Sequence, residues 1–320
     1  NFRNKNIDEY ILDCKLKKPI KNFFIAISKF YENNIFIYNR DIEMDNLDNI
    51  LDDIIKCPLS QKYFFEIYKL IPIMYMTCYT NKNSKNLLIK KNEIINKSFN
   101  FIKDDVKFNL NNKRIKILFI DFYMLQKGTY SSVFKDRSEI IKRLDNNIFE
   151  KHFLFSANVN ELFKNKKILS FLQCFDNVLN VEGINLKDGF DKIINQLKSL
   201  SFDITIYPSI GMHPFSNIFA NNRISPIQIN TWGHSITSGI DTIDYYISSK
   251  LYETEDASKN YSEKLIKLDS LCTYYINEIE EFHVKLKNRN SLELPKDKKI
   301  IFLMFTNQKF NLNFLDILEK

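Results

Sequence analysis

Residues Ile115 to Phe122 (IKILFIDF) make a continuous apolar run of strand length. Similar runs recur downstream with helical stretches between them. Strands buried on both faces read this way. Alternated with helices, they imply βαβ units and a largely parallel, doubly wound sheet. The further strand candidates are His152–Phe155, Asn177–Val181, Ile204–Tyr207, Ile227–Trp232, Ile243–Ile247 and Lys264–Leu268. Helices are expected over Val133–Leu144, Leu186–Leu200 and Pro214–Asn221.

The pattern changes at Asn111–Asn112–Lys113. Before it the chain reads as helices only. After Pro19, apolar residues at Ile20, Phe23, Phe24, Ile27, Phe30 and Tyr31 make one helical stripe. Further helices are expected over Asp45–Ile55, Ser60–Cys78 (kinked at Pro72) and Leu87–Ile102. No 34-residue repeat accompanies them, so a tetratricopeptide array is not supported. Past a polar stretch from Lys285 to Asp297, Ile300–Phe305 reads as another buried strand and Asn307–Leu318 as a helix. The expected division is an all-helical region over 1–106, a first Rossmann-like domain over 107–290, and a linker with the truncated start of a second such domain over 291–320.

With 320 residues and 14% aromatics the chain can bury a large core, which excludes a disordered class. The net charge of +7 comes from lysines interleaved with Asn, Asp and Glu along the whole length. That is a solvated surface, not the clustered footprint of a nucleic-acid binder. No apolar run approaches the roughly 18 residues of a membrane span. Asn1–Tyr10 is too polar for a signal peptide. Five cysteines without a CxxC pair suit a reducing compartment, so a cytoplasmic location is expected.

Ligands of open α/β sheets bind outside the carboxyl ends of the strands. Four loops are expected there: Gln126–Ser132, Ser209–Pro214 (SIGMHP), Gly233–Gly239 (GHSITSG) and Thr306–Lys309. Gly is scarce, 6 residues in all, yet Gly128, Gly211, Gly233 and Gly239 fall in the first three loops, with His213 and His234. A dinucleotide fingerprint and a P-loop are both missing from the sequence, which disfavours a nicotinamide dehydrogenase and a P-loop nucleotidase. No Asp-x-Asp pair is present to hold a metal–diphosphate. Phosphate handling would then fall to lysine, backbone N–H groups and a helix N-terminus.

Arg223-Ile-Ser-Pro-Ile-Gln228 leads into Gly233-His-Ser-Ile-Thr-Ser-Gly239, followed by Asp244-Tyr and Tyr261-Ser-Glu-Lys-Leu265. These motifs, in this order and near this spacing, resemble the O-GlcNAc transferase family and its bacterial branch, the HMW1C-like protein N-glucosyltransferases. Tyr207-Pro-Ser-Ile-Gly-Met212 is closer to the bacterial branch, and Thr306-Asn-Gln308 is similar to the F-N-Q that opens the family's nucleotide-binding half. The resemblance covers about Ile115 to Lys320.

It implies a GT-B architecture and metal-independent, inverting transfer of GlcNAc or a hexose from a UDP-sugar to a protein Ser/Thr or Asn side chain. No cofactor is implied beyond the donor. It implies catalytic roles for His234, Tyr130 and His213. Substrate contacts are implied for Gly128, Gly211, Gly233, Thr237, Ser238, Gly239, Asn307, Gln308 and Lys309. Two positions depart from the family pattern. Asn311 stands where a diphosphate lysine is expected, with Lys309 nearby, and Tyr130 stands where the family has a histidine. Two alternatives stay open: a non-catalytic GT-B scaffold whose helical region binds a partner, and a transferase acting on glycans.

Overall fold

The computed structural model describes residues 18–26, 40–57, 59, 68, 71, 77–80, 82–109, 113–125, 131–162, 164–183, 186–275, 288–303 and 312–319. Among them, every regular element before residue 113 is helical: residues 18–26, α1 (Arg40–Ile55) and α2 (Lys85–Ser98). The expected helix over Ser60–Cys78 lies mostly outside the described residues. α2 stops four residues short of Ile102. Phe99 turns extended and stacks on Phe101. The backbone of Ile102 then bonds the Asn222 side chain (3.0 Å) and the Arg223 amide (2.8 Å), so the sheet's own connection captures what the apolar spacing assigned to the helix.

From Ile115 the chain alternates as expected. In order come β1 (Ile115–Ile120), α3 (Ser132–Arg143), β2 (Phe149–Phe155), α4 (Lys166–Leu172), β3 (Asn177–Asn180), α5 (Leu186–Ser199) and β4 (Ile204–Tyr207). They are followed by α6 (Pro214–Ala220), β5 (Ile227–Thr231), β6 (Tyr245–Ser249) and β7 (Lys264–Leu268). The seven strands form one parallel sheet in the order β3-β2-β1-β4-β5-β6-β7.

Side chains alternate across the pleat and sort into two cores. Leu118, Ile120, Leu154 and Tyr207 join one core with residues of 18–26, α1, α2, α5 and α6. Ile117, Phe119, Phe153 and Phe155 join the other with α3 and α4. The result is three layers, with helices on both faces. Each fully buried Leu or Phe contributes roughly 1.5–3 kcal/mol to holding them together. The carboxyl end of α3 is closed from the sheet: fully buried Lys151 of β2 donates to the carbonyls of Ile141 and Leu144, both at 3.3 Å.

The N-terminal helices therefore share the sheet's core. α2 lies against the crossover from β5 to β6, which has no helix of its own. Asn92 of α2 donates to the Ser238 carbonyl at 2.9 Å. Lys91 sits at the centre of the buried face of α2, fully buried, and burial alone lowers its pKa to about 7.

One expectation fails. Residues 300–303, read as the start of a buried strand, have no regular structure, and Ile301 and Phe302 are 83% and 79% exposed. An apolar run becomes a strand only beside a partner that takes its amides and carbonyls. None of the seven strands pairs with it. Downstream, α7 (Leu312–Glu319) is helical as expected. Among the described residues no helix is long and apolar enough to cross a membrane.

Candidate functional site

From β1 the chain first winds outward to β2 and β3, then returns to β4 on the other side. The strand order switches between β1 and β4, and the crevice at their carboxyl ends is where such sheets hold ligands. Phe119 pairs with Ile206, and Tyr207 with Asn230, so Asp121, Pro208 and Thr231 lie at one level on the carboxyl edge.

Asp121 is the first residue past β1 and is 1% exposed. Its Oδ1 accepts from the amides of Tyr123 (2.8 Å) and Met124 (2.5 Å), which shapes the turn out of the strand. Burial pushes its pKa up to about 6, against the opposing pull of the Ser209 hydroxyl and these two amides. Asp136 of α3 is likewise raised to about 6, first by burial and then by the charge of Asp121, while Arg137 opposes both. Arg137 is buried too and donates to the Cys272 carbonyl, drawing the segment after β7 onto α3. The switch point thus gathers two carboxyl groups that burial raises to about 6 and one buried guanidinium.

Across the switch, Ser209 and His213 follow β4. Gly211 has φ +91°, a conformation that favours glycine and turns the loop toward α6. His213 caps α6: its Nδ1 accepts from the Phe215 amide at 3.2 Å, and its ring stacks on Phe122 with centroids 5.8 Å apart. Burial lowers its pKa to about 4, so at neutral pH the ring is uncharged.

The loop after β5 abuts this one. A Cβ added at Gly233 would lie 1.7 Å from the Pro208 carbonyl oxygen, so the two loops touch through that glycine. His234 follows, buried, and its carbonyl accepts from the Tyr246 hydroxyl at 2.5 Å. Thr237 and Ser238 turn to buried Glu263. Its carboxylate takes the Thr237 hydroxyl (2.5 Å), the Ser238 amide (2.8 Å) and the Ser238 hydroxyl. Gly239, at φ +69°, passes so close to α2 that a Cβ would lie 2.6 Å from the Leu88 carbonyl carbon. At the far edge Arg223 pairs with Asp244 at 2.7 Å, and the Gln228 side chain bonds Ile224, Asn222 and Thr242.

Of the residues singled out from the sequence, the structure brings Gly211, His213, Gly233 and His234 together at the carboxyl edge. Thr237, Ser238 and Gly239 lie farther along the crossover and are engaged by Glu263 and α2. Gly128, Tyr130, Asn307, Gln308 and Lys309 lie outside the described residues. Asp121, Asp136 and Arg137 were missed. Their signal was present: Asp121 interrupts an apolar strand run, and Arg137 stands on the apolar stripe of α3, four residues from both Val133 and Ile141.

No protein-family model matches the chain, and no curated protein matches it. Among solved structures, a mutant of the O-GlcNAc transferase of Thermobaculum terrenum is similar, with a TM-score of 0.55 and 12% identity. The match covers 80% of this chain and 45% of that one, so this chain spans less than half of that structure. At this identity the likeness is one of fold alone: the chain carries a parallel, Rossmann-like α/β sheet of the GT-B type.

Proposed function

We propose that the chain is the acceptor-side part of a metal-independent, inverting glycosyltransferase. It would move GlcNAc or a hexose from a UDP-sugar to a protein Ser/Thr hydroxyl or Asn amide. One observation carries this. Within the Arg223–Leu265 motifs, the Gly233–Gly239 loop abuts the loop after β4 through Gly233 and Pro208, and so borders the switch point of a glycosyltransferase-like sheet.

In an inverting transfer the acceptor atom attacks the anomeric carbon opposite the diphosphate. The bond to UDP breaks, and the acceptor's proton passes to a base. A base is most effective with a pKa near the working pH. Asp121 meets that condition at about 6, whereas His213 at about 4 offers a neutral ring that orients by hydrogen bonding. His234 and Tyr130 would complete the acceptor side, with Gly128, Gly211 and Gly233 allowing close backbone approach. Asn307, Gln308 and Lys309 would meet the nucleotide, and stabilising the leaving diphosphate is the larger catalytic task.

Titration calorimetry of the full-length protein with UDP tests this. A charge-assisted contact to phosphate contributes about 1.5–3 kcal/mol, so Lys309→Ala is expected to weaken UDP binding about tenfold or more. Undetectable binding by the wild type would favour a second reading, a non-catalytic scaffold. The commitment of Thr237, Ser238 and Gly239 to contacts within the fold is the observation on its side.

A further inference from the structure

A cavity of about 470 Å³ opens beside the carboxyl end of β5, away from the β1–β4 switch. Its size falls in the roughly 300–1,000 Å³ range of small-molecule sites. One wall is aromatic: Trp232 and Tyr252 lie with ring centroids 5.3 Å apart and tilted by 46°, and Tyr261 stands beside them. The facing wall is polar and comes from the turn into α2 and from the 3-10 turn Ala257–Asn260. The Asn83 side-chain amide donates to Oδ1 of Asn260 at 2.8 Å and ties these walls together, which leaves the Asn260 side-chain NH2 as a donor. Ser84 spends no side-chain hydrogen bond on capping α2, and Ser235 is exposed at the rim.

The two charged side chains of the lining are already engaged within the protein. Lys82 pairs with Asp45, and Glu253 accepts from the Ser248 and Tyr261 hydroxyls, each at 2.6 Å. An anionic ligand would find no free cation in the described lining and would meet the Glu253 carboxylate. An uncharged molecule with one apolar face and a hydroxyl-rich edge matches both walls: aromatic rings supply apolar contact, and amides and hydroxyls read the edge. That is the chemistry of a pyranose ring.

We infer that this cavity is a saccharide-binding pocket and, because it opens on the same sheet edge as the candidate active site, a subsite for an uncharged glycan already carried by the acceptor protein. The acceptor role rests on the proposed transferase activity; the binding does not. Trp232 is the only tryptophan of the chain and lines the cavity, so its emission reports occupancy directly. Cellobiose and N,N′-diacetylchitobiose are the probes. At least one is expected to change the emission saturably. Ser235→Phe, which fills the rim from an exposed position, is expected to weaken that response by about tenfold or more while leaving the thermal melt unchanged. Three results would overturn the pocket: no saturable response to either disaccharide, an equal response in a folded Ser235→Phe variant, or saturation by a Ser/Thr-rich peptide in their place. A UDP titration of the same protein separates the two ideas. UDP binding without disaccharide binding removes the pocket and keeps the transferase. Disaccharide binding without UDP binding keeps the pocket and removes its acceptor role.

Discussion

Replacing Asp121 by Asn removes a charge that the fold holds at a cost. Burial raises the carboxyl from its ordinary value of 3.8 to about 6. Between those values the folded chain binds more protons here than the unfolded chain does. Stability from this group is therefore full below about pH 4 and is lost as pH rises through 6. A rise of about two units at 1.36 kcal/mol each amounts to about 3 kcal/mol. Asn keeps an acceptor oxygen for the Tyr123 and Met124 amides, so the turn survives while the titration disappears. The difference in stability between Asp121→Asn and wild type is expected to grow by about 2–3 kcal/mol from pH 4 to pH 7.5 in favour of the variant, a relative melting shift of roughly 3–5 °C for a chain of 320 residues. Parallel melts at several pH values measure it. Taking the difference cancels groups that do not feel Asp121, such as Asp176, whose pKa is lowered although burial opposes the pull of Arg114; Asp136, which the charge of Asp121 pushes up, does not cancel and adds to the variant's gain. A difference that does not change with pH would refute the buried ionised carboxylate. A transferase that loses activity in the same variant would show what the cost secures.

Lys91→Met should stabilise the chain at pH 7 and below. Burial lowers this ammonium's pKa to about 7, so its penalty is full below 7 and fades as pH rises toward 10.5; chemical denaturation at pH 6.5 and 10 checks the sign. Gly239→Ala must push its Cβ into the backbone of α2 from a left-handed conformation, and about 2–4 kcal/mol of lost stability is expected from urea midpoints. Glu263→Ala leaves the Ser238 amide and the hydroxyls of Thr237, Ser238 and Ser262 without this acceptor inside the fold, which should cost a similar 2–4 kcal/mol. For His213, an NMR titration should find the ring neutral until about pH 4, and a charged ring at pH 6 would contradict its place as the α6 cap.

The sheet was legible because its strands are short apolar runs whose length and spacing leave little choice, and β1, β4 and β7 begin where the runs begin. Gly233 and Gly239 stood out for their rarity, yet rarity could not tell a ligand contact from a backbone contact. Both prove to touch backbone, at Pro208 and at Leu88. Thr237 and Ser238 carried the same ambiguity, since a hydroxyl next to Gly in a loop suits a sugar as well as a buried carboxylate 25 residues later. Asp121 was hidden by the opposite effect: one acid inside an eight-residue apolar run reads as noise until the fold places it at the switch point. The run at 300–303 failed because burial is a property of partners, and the sequence pattern contains none of them.

The helices before residue 106 matter to the site as more than an attachment. In a doubly wound sheet each crossover helix covers the strands it joins, and the β5–β6 crossover supplies only a loop. α2 takes the missing position. Leu87, Leu88, Ile94 and Ile95 enter the same core as Ile218, Phe219, Ile240 and Ile243. The motif loop is consequently held from three sides, by α2 through Asn92 and the Gly239 contact, by β4 through Gly233, and by Glu263 at the start of β7. The approach to α2 also forms one wall of the saccharide cavity. A sequence comparison confined to the sheet would count Gly239 as a free loop glycine. Its neighbour is a helix that begins more than 150 residues earlier, and that distant contact selects the glycine.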